Sequence, residues 1–196
     1  AAFYDRYAFD KIIPQEILTS TKLTRLKKIF AVMESYFHGE SSGLDPLNSY
    51  LSLPLIIHSS DKIETTSLPK QKLQGKGVVF LIDTGSSAET GPMVSLFMNK
   101  MKEEGFAKMM EEEFVEITGL CVENFLNNNT KSFFVNIKSL SELELKYFKS
   151  MIPVKLQVLW KMGLVTNAFY LKLCGSGGGG YMLGFTKDFE VAKEAL

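Results

Sequence analysis

The feature that most constrains this chain is a run of glycines between two apolar segments. The stretch KLCGSGGGGY covers residues 172–181 and follows the apolar FYLKLC, while YMLGFTK begins at its last residue. Apolar runs of this length, bounded by turn formers, predict β-strands. Adjacent glycines let backbone N–H groups approach an anion or another backbone closely, and a tight hairpin turn needs fewer of them. We interpret the run as a ligand-facing loop, with a flexible hairpin tip or linker as the alternative.

Two common nucleotide-binding motifs do not describe this loop. The P-loop pattern GxxxxGK[ST] is not satisfied, and the dinucleotide-binding fingerprint opens a helix, whereas a strand is predicted here. The segment DTGSSAET, residues 83–90, contains the DTG triplet of aspartic proteases. Those enzymes need a second matching aspartate and a largely β chain, and the sequence has neither.

Composition and charge exclude several functional classes. Lys plus Arg and Asp plus Glu both number 22, so the net charge of zero gives no field for a nucleic-acid backbone. Cys121 and Cys174 cannot build a disulfide framework, and His38 and His58 cannot build a histidine-rich metal site. The sequence contains no apolar stretch long enough to span a bilayer and no unbroken secretory core. We expect a cytoplasmic protein without a nucleic-acid or membrane partner.

The pattern of apolar residues predicts mixed secondary structure. Residues 19–38 have apolar side chains at helical spacing, which favours an amphipathic helix. Strands are predicted at 77–83, 169–174 and 181–187, paired in one sheet with helices on a single side. Helices and strands do not alternate strictly, so the predicted fold class is α+β.

Two carboxylates in the segment ESYFHGESSGLD, residues 34–45, are candidates for chemistry. One of them could bind a divalent cation while the other faces a substrate hydroxyl. Glu34 could instead be a solvated helix carboxylate. Asp45 precedes a proline, a pattern typical of a helix N-cap, and the residue pattern alone favours that structural role. His38 alone is better explained as a loop histidine bonded to the backbone.

Three segments in this order resemble the GHMP kinase superfamily of small-molecule kinases, and within it the mevalonate kinase family. The family patterns E…HGxPSGxD, DTxxxxST and KxTGAGGGG correspond here to Glu34…HGESSGLD, DTGSSAET and KLCGSGGGG. The resemblance implies a GHMP-kinase-like α+β fold. Residues 1–76 would be the last part of the N-terminal domain, and residues 77–196 a ferredoxin-like C-terminal domain.

The resemblance also implies a reaction: ATP-dependent phosphorylation of a small metabolite's hydroxyl, with Mg²⁺, in isoprenoid precursor synthesis. Asp45 falls on the family's catalytic aspartate and Glu34 on its magnesium-binding glutamate. The phosphate and substrate loop would comprise Gly175, Ser176, Gly177, Gly178, Gly179 and Gly180, and the substrate-binding residues would be His38, Ser42, Gly43 and Thr90. Partners would be the substrate and ATP, and a homodimer is compatible with the sequence.

Departures from the family pattern leave the substrate open among mevalonate, phosphomevalonate and homoserine. Ser41 replaces a usual proline, Cys174 and Ser176 replace threonine and alanine, and Ala88 stands where a basic residue is common. The family's N-terminal lysine segment and PxGxGLGSSA phosphate loop do not occur in these residues, and AAFYDRYAF would follow that loop. We therefore expect the 196-residue chain alone to be inactive. The alternative is a non-catalytic GHMP-fold fragment that binds a metabolite or a partner.

Overall fold

The chain divides into two units, residues 1–68 and 69–196, each with its own hydrophobic core. The computed structural model describes residues 18–39, 41–69 and 75–196, without the side chain of His38. The segment AAFYDRYAF lies outside the described residues.

The first unit consists of two helices and a hairpin. Helix α1 spans Ser20–His38, α2 spans Leu44–Leu51, and β1 (Leu55–Ser59) pairs antiparallel with β2 (Lys62–Thr65). The predicted helix is confirmed, because α1 begins after Thr19, whose side chain accepts from the Lys22 amide as an N-cap. The apolar stripe of α1 packs on α2 and β2 in a core formed by Leu23, Leu26, Phe30, Leu47 and Ile63.

The second unit is built around a three-stranded antiparallel sheet. Its strands are β3 (Val78–Asp83), β4 (Tyr170–Leu173) and β5 (Tyr181–Thr186), in the order β3-β5-β4. The prediction that these three segments pair in one sheet is confirmed. The helices are α3 (Thr90–Lys100), α4 (Glu104–Met109), α5 (Val115–Leu126), α6 (Thr130–Tyr147), α7 (Val154–Thr166) and α8 (Phe189–Ala195). A π-helical turn, Met110–Phe114, joins α4 to α5, and a 3-10 turn, Lys149–Met151, follows α6.

Helices cover both faces of this sheet, so the prediction of helices on a single side is wrong. Leu171 and Met182 pack with Trp160 of α7 and with residues of α4 and α8. Tyr170 and Phe185 point to the opposite face and pack with α5 and α6. The physical reason is that successive strand residues alternate between faces. In this sheet the residues on both faces are apolar, so helices must bury both faces.

The fold class is therefore α+β, as predicted. Helices predominate, and the two sheets are small and antiparallel. Within the part of the chain that the structure describes, no helix has the length and apolar character needed to cross a membrane.

Two helical glycines offer a matched test of the core around α7. A Cβ on Gly163 would lie 2.3 Å from the Phe169 ring, whereas a Cβ on Gly119, in α5, would meet nothing within 4 Å. We expect Gly163→Ala to lower the free energy of unfolding by roughly 2 kcal/mol through overpacking. Gly119→Ala should raise it by about 0.5–1 kcal/mol through helix propensity. Urea unfolding followed by the fluorescence of Trp160 measures both, and equal effects would contradict this packing.

Candidate functional site

The glycine loop connects β4 to β5 and lies against the turn that follows β3. The Thr84 amide donates to the Gly180 carbonyl at 2.8 Å, and the Gly180 amide donates to the Ser86 carbonyl at 2.7 Å. Pairing of Asp83 with Tyr181 in the sheet places the turn and the loop at the same end of their strands. Two of the three motif segments singled out in the sequence are therefore in direct contact.

Close backbone packing explains the three central glycines of the loop. A Cβ on Gly177 would lie 2.8 Å from the Met151 carbonyl oxygen, and a Cβ on Gly179 would lie 2.6 Å from the Ser86 carbonyl oxygen. A Cβ on Gly178 would meet the side chains of Ala88 and Met93, both at 2.9 Å. The run is thus a packed connection between paired strands. A larger residue would push the loop away from Met151 at position 177, and away from the turn after β3 at positions 178 and 179.

The same loop presents backbone donors. The Gly178 amide donates to the Met151 carbonyl at 2.6 Å, which fixes the middle of the loop. The amides of Ser176, Gly177 and Gly179 donate to no acceptor among the described residues. Neighbouring amides in a loop with positive φ angles, as at Gly177 and Gly178, form the kind of concave surface that binds anions.

The turn after β3 is held by its own side chains. The Asp83 carboxylate accepts from the Gly85 amide at 2.8 Å, and the hydroxyl of the fully buried Thr84 donates to the Ser86 carbonyl at 2.9 Å. Thr90 is the first residue of α3 and is exposed. Asp83 and Thr84 therefore shape the turn that supports the glycine loop.

In the first unit, Ser41 links Glu34 to the loop between α1 and α2. Its hydroxyl donates to Oε2 of Glu34, and its oxygen accepts from the Gly43 amide at 3.0 Å. Glu34 is half-buried near the end of α1. This contact fixes one carboxylate oxygen of Glu34 against the segment that leads into α2.

The N-cap of α2 is Gly43, so the interpretation of Asp45 as the cap is wrong. Gly43 has a left-handed φ of 71° and forms the cap without a side-chain hydrogen bond. A Cβ there would lie 2.1 Å from the Lys27 carbonyl oxygen, so only glycine lets the chain pass this close to α1. The helix therefore starts at Leu44. Asp45 occupies its first turn as an exposed residue.

Two other predicted substrate residues, Ser42 and His38, lie in or next to the loop between α1 and α2. Ser42 is exposed, and its hydroxyl accepts from the Leu44 amide at 3.3 Å, as part of the turn into α2. The backbone of His38 ends α1, but its side chain lies outside the described residues. Both remain predictions as ligand contacts.

The donor set around Glu34 suits magnesium only together with a phosphate ligand. In the described ranges, no three Asp, Glu, His or Cys side chains group together as a metal site. Mg²⁺ is commonly held by one or two carboxylates plus substrate phosphates and waters, rather than by an all-protein cage. A half-buried carboxylate with one oxygen held by Ser41 fits that pattern.

A third carboxylate, Glu144 of α6, lies beneath the glycine loop and was missed in the sequence. Its Oε2 accepts from the Leu173 amide at 2.7 Å, and its Oε1 lies 3.8 Å from Nζ of Lys172. Burial raises the pKa of Glu144 to about 7, against the opposing effects of Lys172 and of the Leu173 amide. The sequence could have indicated it, because Glu144 lies at helical spacing from Ile137 and Leu140, and a carboxylate on an apolar helix face needs a partner.

No family model matches the chain, and no similar curated protein or solved structure was found. The resemblance to GHMP kinases therefore depends on the three motifs and their order.

Removal of the Ser41 hydroxyl should loosen the entry to α2. In Ser41→Ala the Gly43 amide loses its acceptor and Glu34 loses a donor. A net hydrogen bond contributes about 1 kcal/mol, so exchange of the Gly43 amide should accelerate roughly fivefold. Ser42→Ala is the matched control, because it removes the acceptor of the Leu44 amide instead. Amide hydrogen exchange followed by NMR measures both, and unchanged Gly43 exchange in Ser41→Ala would contradict the contact.

Burial of Glu144 predicts a pH-dependent stability of the second unit. The folded pKa of about 7 lies above the ordinary value of 4.5, so the folded state holds a proton that the unfolded state releases in this interval. Stability should therefore fall as pH rises from about 5 to about 8, by roughly 2–3 kcal/mol. Glu144→Gln should remove most of this fall, because it keeps an acceptor for Leu173 and carries no charge.

Glu142→Gln is the control for this prediction, because Glu142 is an exposed neighbour on the same helix. Urea unfolding near both ends of the interval, followed by Trp160 fluorescence, gives the comparison. A fall of the same size in Glu144→Gln as in the parent protein would mean that another group titrates.

Proposed function

We propose that this chain is part of a GHMP-family kinase. In this proposal it transfers a phosphoryl group from ATP to the hydroxyl of a small metabolite, with mevalonate as the first candidate. The finer fold assignment, with a ferredoxin-like domain following part of the N-terminal domain, belongs to the same proposal. Phosphomevalonate and homoserine are the alternative acceptors.

The contact between the glycine loop and the turn at residues 83–90 carries this proposal. The resemblance assigns these two segments to one site, although about 90 residues separate them in the chain. Two backbone hydrogen bonds, from Thr84 to Gly180 and from Gly180 to Ser86, join them. The antiparallel pairing of β3 with β5 brings the two segments together, and a site shared by them needs this arrangement.

Each candidate residue then has a physical task. Phosphoryl transfer requires mainly positioning of the acceptor and electrostatic stabilisation of the transferred group. When bound, ATP supplies the phosphoryl group and Mg²⁺ offsets its charge. Glu34 would hold the metal, and the amides of Ser176, Gly177 and Gly179 would donate to phosphate oxygens. The exposed carboxylate of Asp45 would accept or orient the proton of the substrate hydroxyl.

A non-catalytic, metabolite-binding role is the second candidate. This role needs no phosphate at the loop, and packing against Ser86 and Met151 accounts for Gly177 and Gly179 without one. A binding protein would take up the same small molecules but release them unchanged.

Replacement of Asp45 by Asn tests the kinase assignment. The experiment uses protein expressed from the complete reading frame, with ATP, magnesium and each of the three acceptors. Turnover of the preferred acceptor should fall by about a hundredfold or more in Asp45→Asn, which is the usual scale for loss of a general base. Acceptor binding, measured by calorimetry, should change much less because the side chain keeps its size.

Asp61→Asn is the matched control, since Asp61 is an exposed aspartate of the same unit outside the motif. It should leave turnover unchanged. Binding of an acceptor without any phosphorylation would instead support the metabolite-binding role. Full turnover in Asp45→Asn would remove Asp45 from the chemistry.

A further inference from the structure

A cavity of about 360 Å³ lies beneath the glycine loop, inside the second unit. Its volume is within the range of small-molecule sites, which are mostly apolar with a few fixed polar groups. Gly175 and Ser176 of the loop form part of its wall, next to Leu173 of β4 and Val94 of α3. Aromatic and thioether side chains form most of the remaining wall, from Phe97, Met110, Phe114, Phe148 and Met151.

Two charged groups line this cavity, and they differ in their access to water. The Glu144 side chain is 3% exposed, whereas that of Lys172 is 34% exposed. The ammonium of Lys172 lies 3.8 Å from the carboxylate and donates to the Leu173 carbonyl at 3.0 Å. Lys172 therefore shares its donors between water, the backbone and Glu144.

The negative charge of ionised Glu144 is only partly offset by the groups around it. Its pKa is raised to about 7 by burial, although Lys172 and the Leu173 amide both act in the opposite direction. Cys121 of α5 also interacts electrostatically with Glu144, and burial raises the pKa of its thiol to about 11, so it is neutral at physiological pH. Lys172, partly exposed and 3.8 Å away, therefore offsets only part of the charge of ionised Glu144, and a ligand in the adjoining cavity can supply a second cation.

We propose that this cavity binds a small organic amine. Its ammonium group would donate to Glu144, and its apolar body would contact the aromatic wall formed by Phe97, Phe114 and Phe148. Aromatic rings beside a carboxylate suit this ligand class because ring faces attract cations and the charge-assisted hydrogen bond orients the head. The proposal is independent of kinase activity, because it concerns binding alone.

An occupant of the cavity would touch the glycine loop. Gly175 and Ser176 contribute to the cavity wall. Met151 connects the cavity to the glycine loop, because its side chain contacts one of the two and its backbone carbonyl the other. The Met151 side chain lines the cavity, while its carbonyl accepts from the Gly178 amide at 2.6 Å. Ligand binding should therefore slow exchange of the Gly178 amide.

A pair of probes tests the proposal: benzylamine, and the neutral benzyl alcohol of nearly the same shape. The protein carries ¹³C-methyl methionine, and NMR follows Met110 and Met151 in the cavity wall. Met33 of α1 and Met162 of α7 are internal controls, because neither lines the cavity. Benzylamine should shift the two wall signals saturably and bind about tenfold more tightly than the alcohol, since a hydrogen bond to a charged group is stronger.

The affinity for benzylamine should also rise with pH between about 6 and 8, as Glu144 ionises while the amine stays protonated. Equal affinity for the two probes, or the absence of saturable shifts at Met110 and Met151, would overturn the proposal. Both readings come from the unmodified protein, so they do not depend on any variant folding.

Three variants locate the binding. Val94→Phe adds volume at the cavity wall and should abolish binding of both probes, whereas Val158→Phe, on the exposed face of α7, should leave it intact. Glu144→Gln should reduce the tenfold preference for the amine to near unity. Retention of that preference in Glu144→Gln, or of binding in Val94→Phe, would place the amine elsewhere and refute the assignment.

Discussion

Pairing of β5 with strands on both sides determines where the candidate residues of the second unit lie. Met182 pairs with Leu173 of β4, and Tyr181 pairs with Asp83 of β3, so both neighbours meet β5 at its first residues. The loop before β5 and the turn after β3 must then occupy the same end of the sheet. The glycines allow these two backbones to reach hydrogen-bonding distance, which side chains would prevent.

Helix α6 stabilises the strand on which this loop depends. β4 is an edge strand, and the amide of Leu173 at its end donates to the Glu144 carboxylate instead of to another strand. An unpaired edge amide is a site for unwanted pairing with other chains. A buried carboxylate satisfies it, at the cost of desolvating a charge. The same carboxylate thereby becomes one of two charged groups in the wall of a mostly apolar cavity.

The sequence was sufficient for elements whose pattern is local. Helix α1 follows from the spacing of Leu23, Leu26 and Phe30, and the three strands follow from short apolar runs between turn formers. The two-sided cover of the sheet was missed, although Tyr170 and Leu171 are both apolar and must face opposite ways. The motif residues were identified from the resemblance. Their contacts with Ser41 and Met151 could not be predicted, because the folded structure brings these residues together.

The N-cap of α2 shows the limit of local rules most clearly. Asp followed by Pro is a frequent helix start, and by local criteria Asp45 was the better cap. The close approach of residue 43 to the backbone of Lys27 decides otherwise, and this contact lies 16 residues away in sequence (43 − 27 = 16). Tertiary packing thus moved the helix start and left the Asp45 side chain outside the cap.

The π-helical turn between α4 and α5 lies where one run of helix passes from the core on one face of the sheet to the core on the other. Before it, Phe106 and Met109 belong to the core around Trp160; after it, Cys121 belongs to the core around Phe133. A π turn takes up one residue more than an α turn, so the helix continues beyond it with nearly the same facing. In evolutionary terms, loss of one residue is tolerable in this turn, because an α turn would remain, whereas loss of one residue inside α5 would rotate all later side chains by about 100° around the helix axis.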